Sequence, residues 1–281
     1  MQPPKISLPY FDIVLERFAE GDTDAEQVFG RHVHWGYWEN PVEADGSIAD
    51  FTVAAEQLSQ RIYAAAGVKD GDRVLDAGCG FGGTIASLNE NFNQMQLVGL
   101  NIDSRQLEKA RQQVQPQKNN QIEFVEGDAC RLPFPDASFD VVLAVECIFH
   151  FPSREAFFRE AKRVLRPNGR LAISDFVPVS VFYHLYNFLR KIPTFSINST
   201  YGNVNTEFTL NDYQKLAIAT EFNLNLKEDI TRNTLPTYPI VRRFFEQAGK
   251  QDSANVTGLI EIASRLGLLR YCVLGFEVIS G

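Results

Sequence analysis

The chain has only four cysteines among its 281 residues, and none of them are spaced as a CxxC pair or a zinc-binding framework. A chain of this length buries on the order of three quarters of its unfolded surface, so it needs no disulfide to hold its core. We therefore expect four reduced thiols in a cytoplasmic protein.

Long apolar runs are also missing, and positive charge is in short supply. No stretch of about 18 uncharged apolar residues occurs, so no membrane insertion is expected. Residues 1–10 lack the basic-then-apolar layout of a secretion signal. The net charge is −8, whereas proteins that neutralise nucleic-acid phosphates are usually basic. Nucleic acid is therefore not an expected partner.

Three regions follow one another along the chain: residues 1–70, the central residues 71–175, and the aromatic-rich residues 176–281. The central region alternates short apolar strands with helical patterns, which favours a parallel sheet covered by helices on both faces. In such sheets, ligands bind beyond the carboxyl ends of the strands. The five strands are expected at 73–77, 96–102, 122–125, 139–145 and 170–175.

The end of the first strand combines a carboxylate with a glycine turn. Gly78, Gly80 and Gly83 satisfy G-x-G-x-x-G, a weak signal that dinucleotide enzymes share. Asp76 precedes them and would repel a pyrophosphate, which disfavours a nucleotide-binding oxidoreductase. The carboxylate suits an ammonium or sulfonium group, and S-adenosylmethionine carries both.

The next two strand ends fit the rest of that molecule. Asn101 follows the second strand, and its amide can bond a ribose hydroxyl. Asp128 and Ala129 follow the third strand, where a carboxylate can accept from an adenine amino group and a backbone N–H can reach a ring nitrogen.

The ordered motifs resemble those of class I S-adenosylmethionine-dependent methyltransferases. Residues 34–38 (HWGYW) resemble the amino-terminal arm of the small-molecule branch, which includes tocopherol, sarcosine/dimethylglycine and natural-product methyltransferases. The resemblance spans roughly residues 10–245. The motifs that carry it lie at 76–83, 100–111, 127–135, 139–151 and 161–175.

The resemblance implies an α/β fold. It has a Rossmann-like, seven-stranded, mostly parallel sheet flanked by helices, with the last strand antiparallel. It divides the chain into an arm (1–70), the cofactor-binding core (71–175), an inserted helical cap for the acceptor (176–222) and a segment completing the core (223–281). The last two strands are then expected at 224–230 and 270–279.

The same resemblance implies a cofactor shell. The strand ends lack a dense cluster of Asp, Glu and Asn side chains, so no magnesium site is expected. Asp76, Gly78 and Gly80 would line the methionine end, Asn101 the ribose, and Asp128 with Ala129 the adenine. Trp35 could cover the sulfonium by cation–π attraction, or could simply fasten the arm. The complete expected set is Asp76, Gly78, Gly80, Asn101, Ile102, Gln106, Asp128, Ala129, Glu146 and Trp35.

His150 and Asp175 are the candidate catalytic residues. His150 follows the fourth strand and has the intrinsic pKa of a general base; the alternative is a histidine that packs between Phe149 and Phe151. Asp175 ends the fifth strand and could orient the imidazole or bind the acceptor; the alternative is a helix cap.

Aromatic residues in two segments are the candidate acceptor contacts. His34 and Tyr37 belong to the arm, and Tyr183 and Tyr186 to the cap. For each segment the alternative is ordinary core packing.

These features predict an enzyme that methylates a small-molecule acceptor, most simply a hydroxyl of a specialised metabolite, since a histidine base fits hydroxyl deprotonation. Methylation at nitrogen or carbon stays open, as does a non-catalytic module that has kept the cofactor pocket. The sequence does not decide between a monomer and a homodimer.

Overall fold

Seven strands form a single sheet in the part of the chain that the structure, a computed structural model, describes: residues 8–179 and 197–279. In chain order they are β1 (Arg73–Ala77), β2 (Gln96–Asn101), β3 (Gln121–Glu126), β4 (Phe139–Ala144), β5 (Leu165–Pro178), β6 (Phe222–Asp229) and β7 (Leu269–Val278). The order across the sheet is β3-β2-β1-β4-β5-β7-β6. Pairs from β3 to β5 are parallel, and β7 is antiparallel to both neighbours. The expected fold class is confirmed.

Helices cover both faces of this sheet. Within the described residues they are α1 (Pro9–Ala19), α2 (Thr23–Phe29), α3 (Ile48–Ala65), α4 (Gly83–Asn91), α5 (Ser104–Gln113), α6 (Arg154–Val164), α7 (Ile197–Tyr201), α8 (Leu210–Ala219), α9 (Thr231–Thr234), α10 (Thr237–Gln247) and α11 (Gln251–Arg265). A single 3-10 turn at Ile148–His150 follows β4. None of the described helices combines the length and apolarity needed to cross a bilayer.

The central strands are apolar on both sides because helices cover both faces. Val74 and Leu75 of β1 and Val141 and Val142 of β4 are fully buried. Asp76 pairs in register with Gly99 of β2 and Leu143 of β4, so β1, β2 and β4 end side by side. The chain segments that follow these strands therefore meet at one edge of the sheet, the carboxyl edge.

The two tryptophans of the amino-terminal arm have different partners. Within the arm, Trp38 Nε1 donates to Asp50 at 2.9 Å, and its ring packs against Phe51. The Trp35 backbone N–H donates to Glu146 at 2.7 Å, directly beyond β4. The arm is thus fastened over the carboxyl edge.

The connection between β6 and β7 covers the same edge from the other side. Tyr238 of α10 packs edge-on against Trp35, with ring centroids 5.7 Å apart, and Phe244 packs against Phe29 at 4.8 Å. The sequence division gave the acceptor cap to residues 176–222 and the completion of the core to 223–281. In the structure, α10 and α11 do more than complete the core, because they also wall the space above the carboxyl edge.

Candidate active site

Two cavities lie above the carboxyl edge and meet there. The first, about 90 Å³, follows the glycine turn and is called the glycine-loop cavity. The second, about 240 Å³, is walled mainly by aliphatic and aromatic side chains and is called the apolar cavity. Five residues line both and define the junction: Tyr10, Val33, His34, Glu146 and His150.

The glycine turn needs its glycines for backbone reasons. Gly78, Gly80 and Gly82 have φ values of 89°, 54° and 82°, in the left-handed region that side chains disfavour. A Cβ on Gly78 would lie 2.8 Å from Cys147. The N–H of Gly78 donates to the carbonyl of Leu100 at 2.7 Å, which ties the turn to β2.

Gly83 has a different role. A Cβ on Gly83 would lie 2.4 Å from the Arg31 carbonyl and from His32 Nδ1, so the arm packs directly on the first turn of α4. His32 also lines the glycine-loop cavity and bonds Glu56 at 2.9 Å. The sequence interpretation did not single out His32, because no pattern near it in the sequence indicates that it lines a cavity.

Asp76 is the buried carboxylate that was expected to meet a cation. Asp76 is 1% exposed, and its Oδ1 has no hydrogen-bond partner within the described residues. Burial alone raises the pKa of this carboxyl to about 7. A buried acceptor without a donor fits an ammonium group supplied by a ligand.

Asn101, Ile102 and Gln106 form the next part of the same wall. The Asn101 amide donates to Gln106 Oε1 at 2.8 Å, and Gln106 Nε2 is buried without a partner in the described structure. Polar groups arranged in this way fit the hydroxyls of a ribose.

Asp128 and Ala129 do not reach the lining of the glycine-loop cavity. One Asp128 oxygen accepts from the Cys130 N–H at 2.8 Å, which holds the turn after β3. Their assignment to the adenine stays a prediction.

His150 lies at the junction of the two cavities. Its Nε2 is 3.2 Å from the Tyr10 hydroxyl, and the two rings stack at 5.8 Å with an angle of 17°. Nδ1 is buried without a hydrogen-bond partner among the described residues. Burial lowers the pKa of His150 to about 4, with the Asn203 backbone acting in the opposite direction. The imidazole is therefore neutral at pH 7, but it also packs against Phe149 at 4.5 Å, so both sequence interpretations describe real contacts.

Glu146 is the second buried acid at the junction. Its Oε2 accepts from the Trp35 N–H and from the Tyr271 hydroxyl at 2.9 Å. Burial raises the pKa of this carboxyl to about 8. The φ of Glu146 is 49°, a strained conformation for a residue with a side chain and one that concentrates at functional sites.

Asp175 lies away from both cavities, contrary to the expectation that it orients His150 or binds the acceptor. It is fully buried and accepts from Arg154 Nη2 at 2.8 Å and from the Tyr213 hydroxyl. Burial raises the pKa of this carboxyl, and the Arg154 charge opposes that effect. These contacts of Asp175 with Arg154 and Tyr213 join α6 and α8 to the end of β5.

The arm aromatics divide between two places. Trp35 was assigned to the cofactor, but its side chain lines the apolar cavity. Tyr37 lines neither cavity, and its hydroxyl donates to Glu39 at 3.4 Å. His34 reaches the junction, but both ring nitrogens are occupied, by Ser59 and by the Trp35 carbonyl. Tyr183 and Tyr186 lie outside the described residues.

The fold is Rossmann-like, and its glycine-loop cavity contains a buried carboxyl that fits a cationic ligand. A family model described as a methyltransferase domain matches residues 75–173. Methyltransferase GfsG of Streptomyces halstedii is 32% identical over 78% of this chain and 76% of its own length. The 27-O-demethylrifamycin SV methyltransferase of Amycolatopsis mediterranei is 38% identical over 55% of this chain and 54% of its own length.

Among solved structures, the cyclase SpnF is 20% identical, covers 98% of each chain and gives a TM-score of 0.72, which shows the shared fold. Together with the relatives above, these findings place the chain in the class I S-adenosylmethionine-dependent methyltransferases. The cofactor expectation is thereby confirmed.

Asp76→Asn should remove most of the pH dependence of cofactor affinity. With a pKa of about 7, the carboxyl becomes ionised between pH 6 and 7.5, so the affinity of the wild type for S-adenosylmethionine should rise about eight-fold over that range. The variant should bind more weakly at pH 7.5 and change little with pH. Calorimetric titration at both pH values measures this, with the exposed Asp70→Asn as the matched control.

The same variant should be more stable than the wild type at pH 8 without ligand. A carboxyl whose folded pKa exceeds its unfolded value loses stability as the pH rises from about 4 through 7. Thermal unfolding at pH 5 and pH 8 tests the sign. If the Asp76→Asn variant is less stable than the wild type by the same amount at pH 5 and pH 8, the assignment of an unpaired carboxyl is wrong.

Arg154→Met should destabilise the protein without changing the affinity for S-adenosylmethionine. Removing one partner of a buried ion pair costs about 3–5 kcal/mol, because the Asp175 carboxylate is left uncompensated. Urea unfolding measures this cost. The control is Arg159→Met on the same helix, whose pair with Glu155 is exposed and contributes about 0.5 kcal/mol. A stable Arg154→Met protein that lacks methyl transfer would return Asp175 to a catalytic role.

Proposed function

We propose that this protein transfers the methyl group of S-adenosylmethionine to a hydroxyl of a small-molecule specialised metabolite. The observation that carries the proposal is the junction, where His150 Nε2 stands between the glycine-loop cavity and the apolar cavity. Several relatives have names that support oxygen as the acceptor atom, among them the 27-O-demethylrifamycin SV methyltransferase, whereas two others are named sterol 24-C-methyltransferases. The chain matches about half of that relative's length, so the activity is inferred from the site as well as from the name.

The chain's own groups supply the binding side of the reaction. Asp76 faces the ammonium end, and Asn101 with Gln106 faces the ribose. The cofactor, when bound, provides a methyl group on a positively charged sulfur. Tyr10 and His34 close the junction from the arm, which excludes water and holds the acceptor in line.

His150 takes the proton of the acceptor hydroxyl on Nε2. A pKa of about 4 keeps the imidazole neutral and able to accept at physiological pH. The pKa is low for a base, but the acceptor oxygen becomes strongly acidic as it gains the methyl group. Proton transfer to a weak base is therefore favourable in the transition state.

We also place the protein in the cytoplasm, without a nucleic-acid partner. The four cysteines, all of which lie in the described residues, are unpaired, and the net charge of −8 argues against binding to phosphates.

A direct test incubates the protein with S-adenosylmethionine labelled on its methyl group and a panel of phenols, alcohols and amines. Mass spectrometry and NMR of the products locate the label. Transfer to oxygen supports the proposal, whereas label found only on nitrogen or carbon, or on none of the panel, contradicts it.

His150→Gln should lower kcat about 100-fold or more, the usual contribution of a general base. Its affinity for S-adenosylmethionine should stay within two-fold of the wild type. At saturating S-adenosylmethionine, the wild-type kcat should be flat from pH 6 to 8 and fall only as the pH approaches 4, where the imidazole becomes protonated. Steady-state rates against pH measure this, with the neighbouring Phe149→Leu as a control that alters acceptor KM more than kcat. A kcat within a few-fold of wild type would contradict the base assignment.

Tyr10→Phe should keep kcat within about three-fold. Burial and the Glu146 charge raise the pKa of the Tyr10 hydroxyl well above its usual value, which makes it a poor proton carrier. In the proposed complex the acceptor hydroxyl takes its place beside His150. If Tyr10→Phe loses activity as severely as His150→Gln, the proton passes through Tyr10 instead.

A further inference from the structure

The apolar cavity has a mouth formed by α11 and the turn that follows it. Leu259, Ile262 and Leu266 line the cavity and yet are 45%, 54% and 67% exposed. Their spacing of three and four residues places them on one side of the helix. They form a continuous apolar surface from the inside of the cavity to the outside, which we call the α11 strip.

The size of the cavity limits what can be enclosed. A cavity of about 150 Å³ holds a benzene molecule. A cavity of about 240 Å³ therefore has room for one ring and a few further carbons. Part of a larger acceptor must extend out of the cavity through the mouth, where it would lie along the α11 strip.

The charge around this path favours a neutral compound. No lysine or arginine from residues 8–179 or 197–279 lines the apolar cavity, and its one carboxyl, Glu146, is held by Trp35 and Tyr271. An anionic acceptor would have no counter-charge there. The charged neighbours of the strip pair with one another: Glu261 bonds Arg265 at 2.7 Å and lies 3.6 Å from Arg242.

We propose that the acceptor is an uncharged hydroxylated compound whose apolar body is larger than the cavity, and that Leu259, Ile262 and Leu266 determine specificity by holding the protruding part. The proposal rests on the proposed function only in placing the hydroxyl at His150. It adds the class of acceptor and the residues that select it.

A series of 4-alkylphenols, from ethyl to octyl, tests the path by calorimetry on the protein loaded with S-adenosylhomocysteine. Each methylene that leaves water should raise the affinity about four-fold, and the gain should continue past the chain length that the cavity encloses. The matching 4-alkylbenzoates should bind at least ten-fold more weakly, because no basic residue of the described chain faces them.

Ile262→Glu and Leu266→Glu test the strip itself. Both should bind 4-ethylphenol as the wild type does and lose about ten-fold or more of the affinity for 4-octylphenol. Ile262→Met, which keeps the side chain apolar, should bind 4-octylphenol as tightly as the wild type. The control is Ile218→Glu on α8, which is 78% exposed in the wild type and lines neither cavity, and it should match the wild type across the series.

Three results would overturn the proposal: equal losses for short and long chains, no loss in either variant, or benzoates that bind as tightly as phenols. A dimeric wild type that the glutamate variants convert to monomers, with phenol affinities unchanged, would assign the strip to self-association instead. The proposed function fails separately, if alkylphenols bind as described but receive no labelled methyl group.

Discussion

An unpaired carboxylate in the interior is the constraint on which this site depends. Asp76 is buried beside a turn whose first glycine cannot carry a side chain without meeting Cys147. Among lysines and arginines of the described chain, only Arg31 of the arm lines the glycine-loop cavity, and its guanidinium bonds Glu56 and Glu90. A buried charge without a partner is costly, so burial raises the pKa of this carboxyl to about 7. A cationic group in the cavity would stabilise its charged form, whereas an anionic group would not.

Glu146 extends the same logic to the junction. Two buried acids with raised pKa values, Asp76 and Glu146, line the glycine-loop cavity. The Glu146 carboxyl also accepts from the Trp35 N–H and so holds the arm in place. The backbone of Glu146 itself has a conformation that is unfavourable for a non-glycine residue. The Glu146 carboxyl therefore both binds the arm and contributes to the electrostatics of the glycine-loop cavity.

The cofactor side was predictable from the sequence because each of its parts is local. A parallel strand followed by a turn places its own residues at the carboxyl edge, so Asp76, Gly78, Asn101 and Glu146 could be located without knowing how distant segments pack. The seven-stranded, mostly parallel sheet with its antiparallel last strand followed from the same alternation of strand and helix together with the family resemblance, whereas the order of the strands was not predicted. Asp128 shows the limit, since its turn is also local but is held by its own backbone contact outside the cavity lining.

The acceptor side could not be predicted in the same way because it is assembled from distant segments. Asp175 meets Arg154 and Tyr213 only after α6 and α8 have packed together, and no pattern in the chain marks that meeting. Trp35 and Tyr37 are two residues apart, yet only one of them faces the cavity. The apolar residues of α10 and α11 look like ordinary core positions until the arm is placed opposite them.

This division between the two sides explains how one scaffold serves different reactions. SpnF shares the fold over 98% of its length but is named as a cyclase, so the sheet and its turns do not by themselves fix the chemistry. At the junction, three of the five residues, Tyr10, Val33 and His34, come from the arm and only Glu146 and His150 from the core. Changes in the arm can alter what meets the cofactor while leaving every strand end in place.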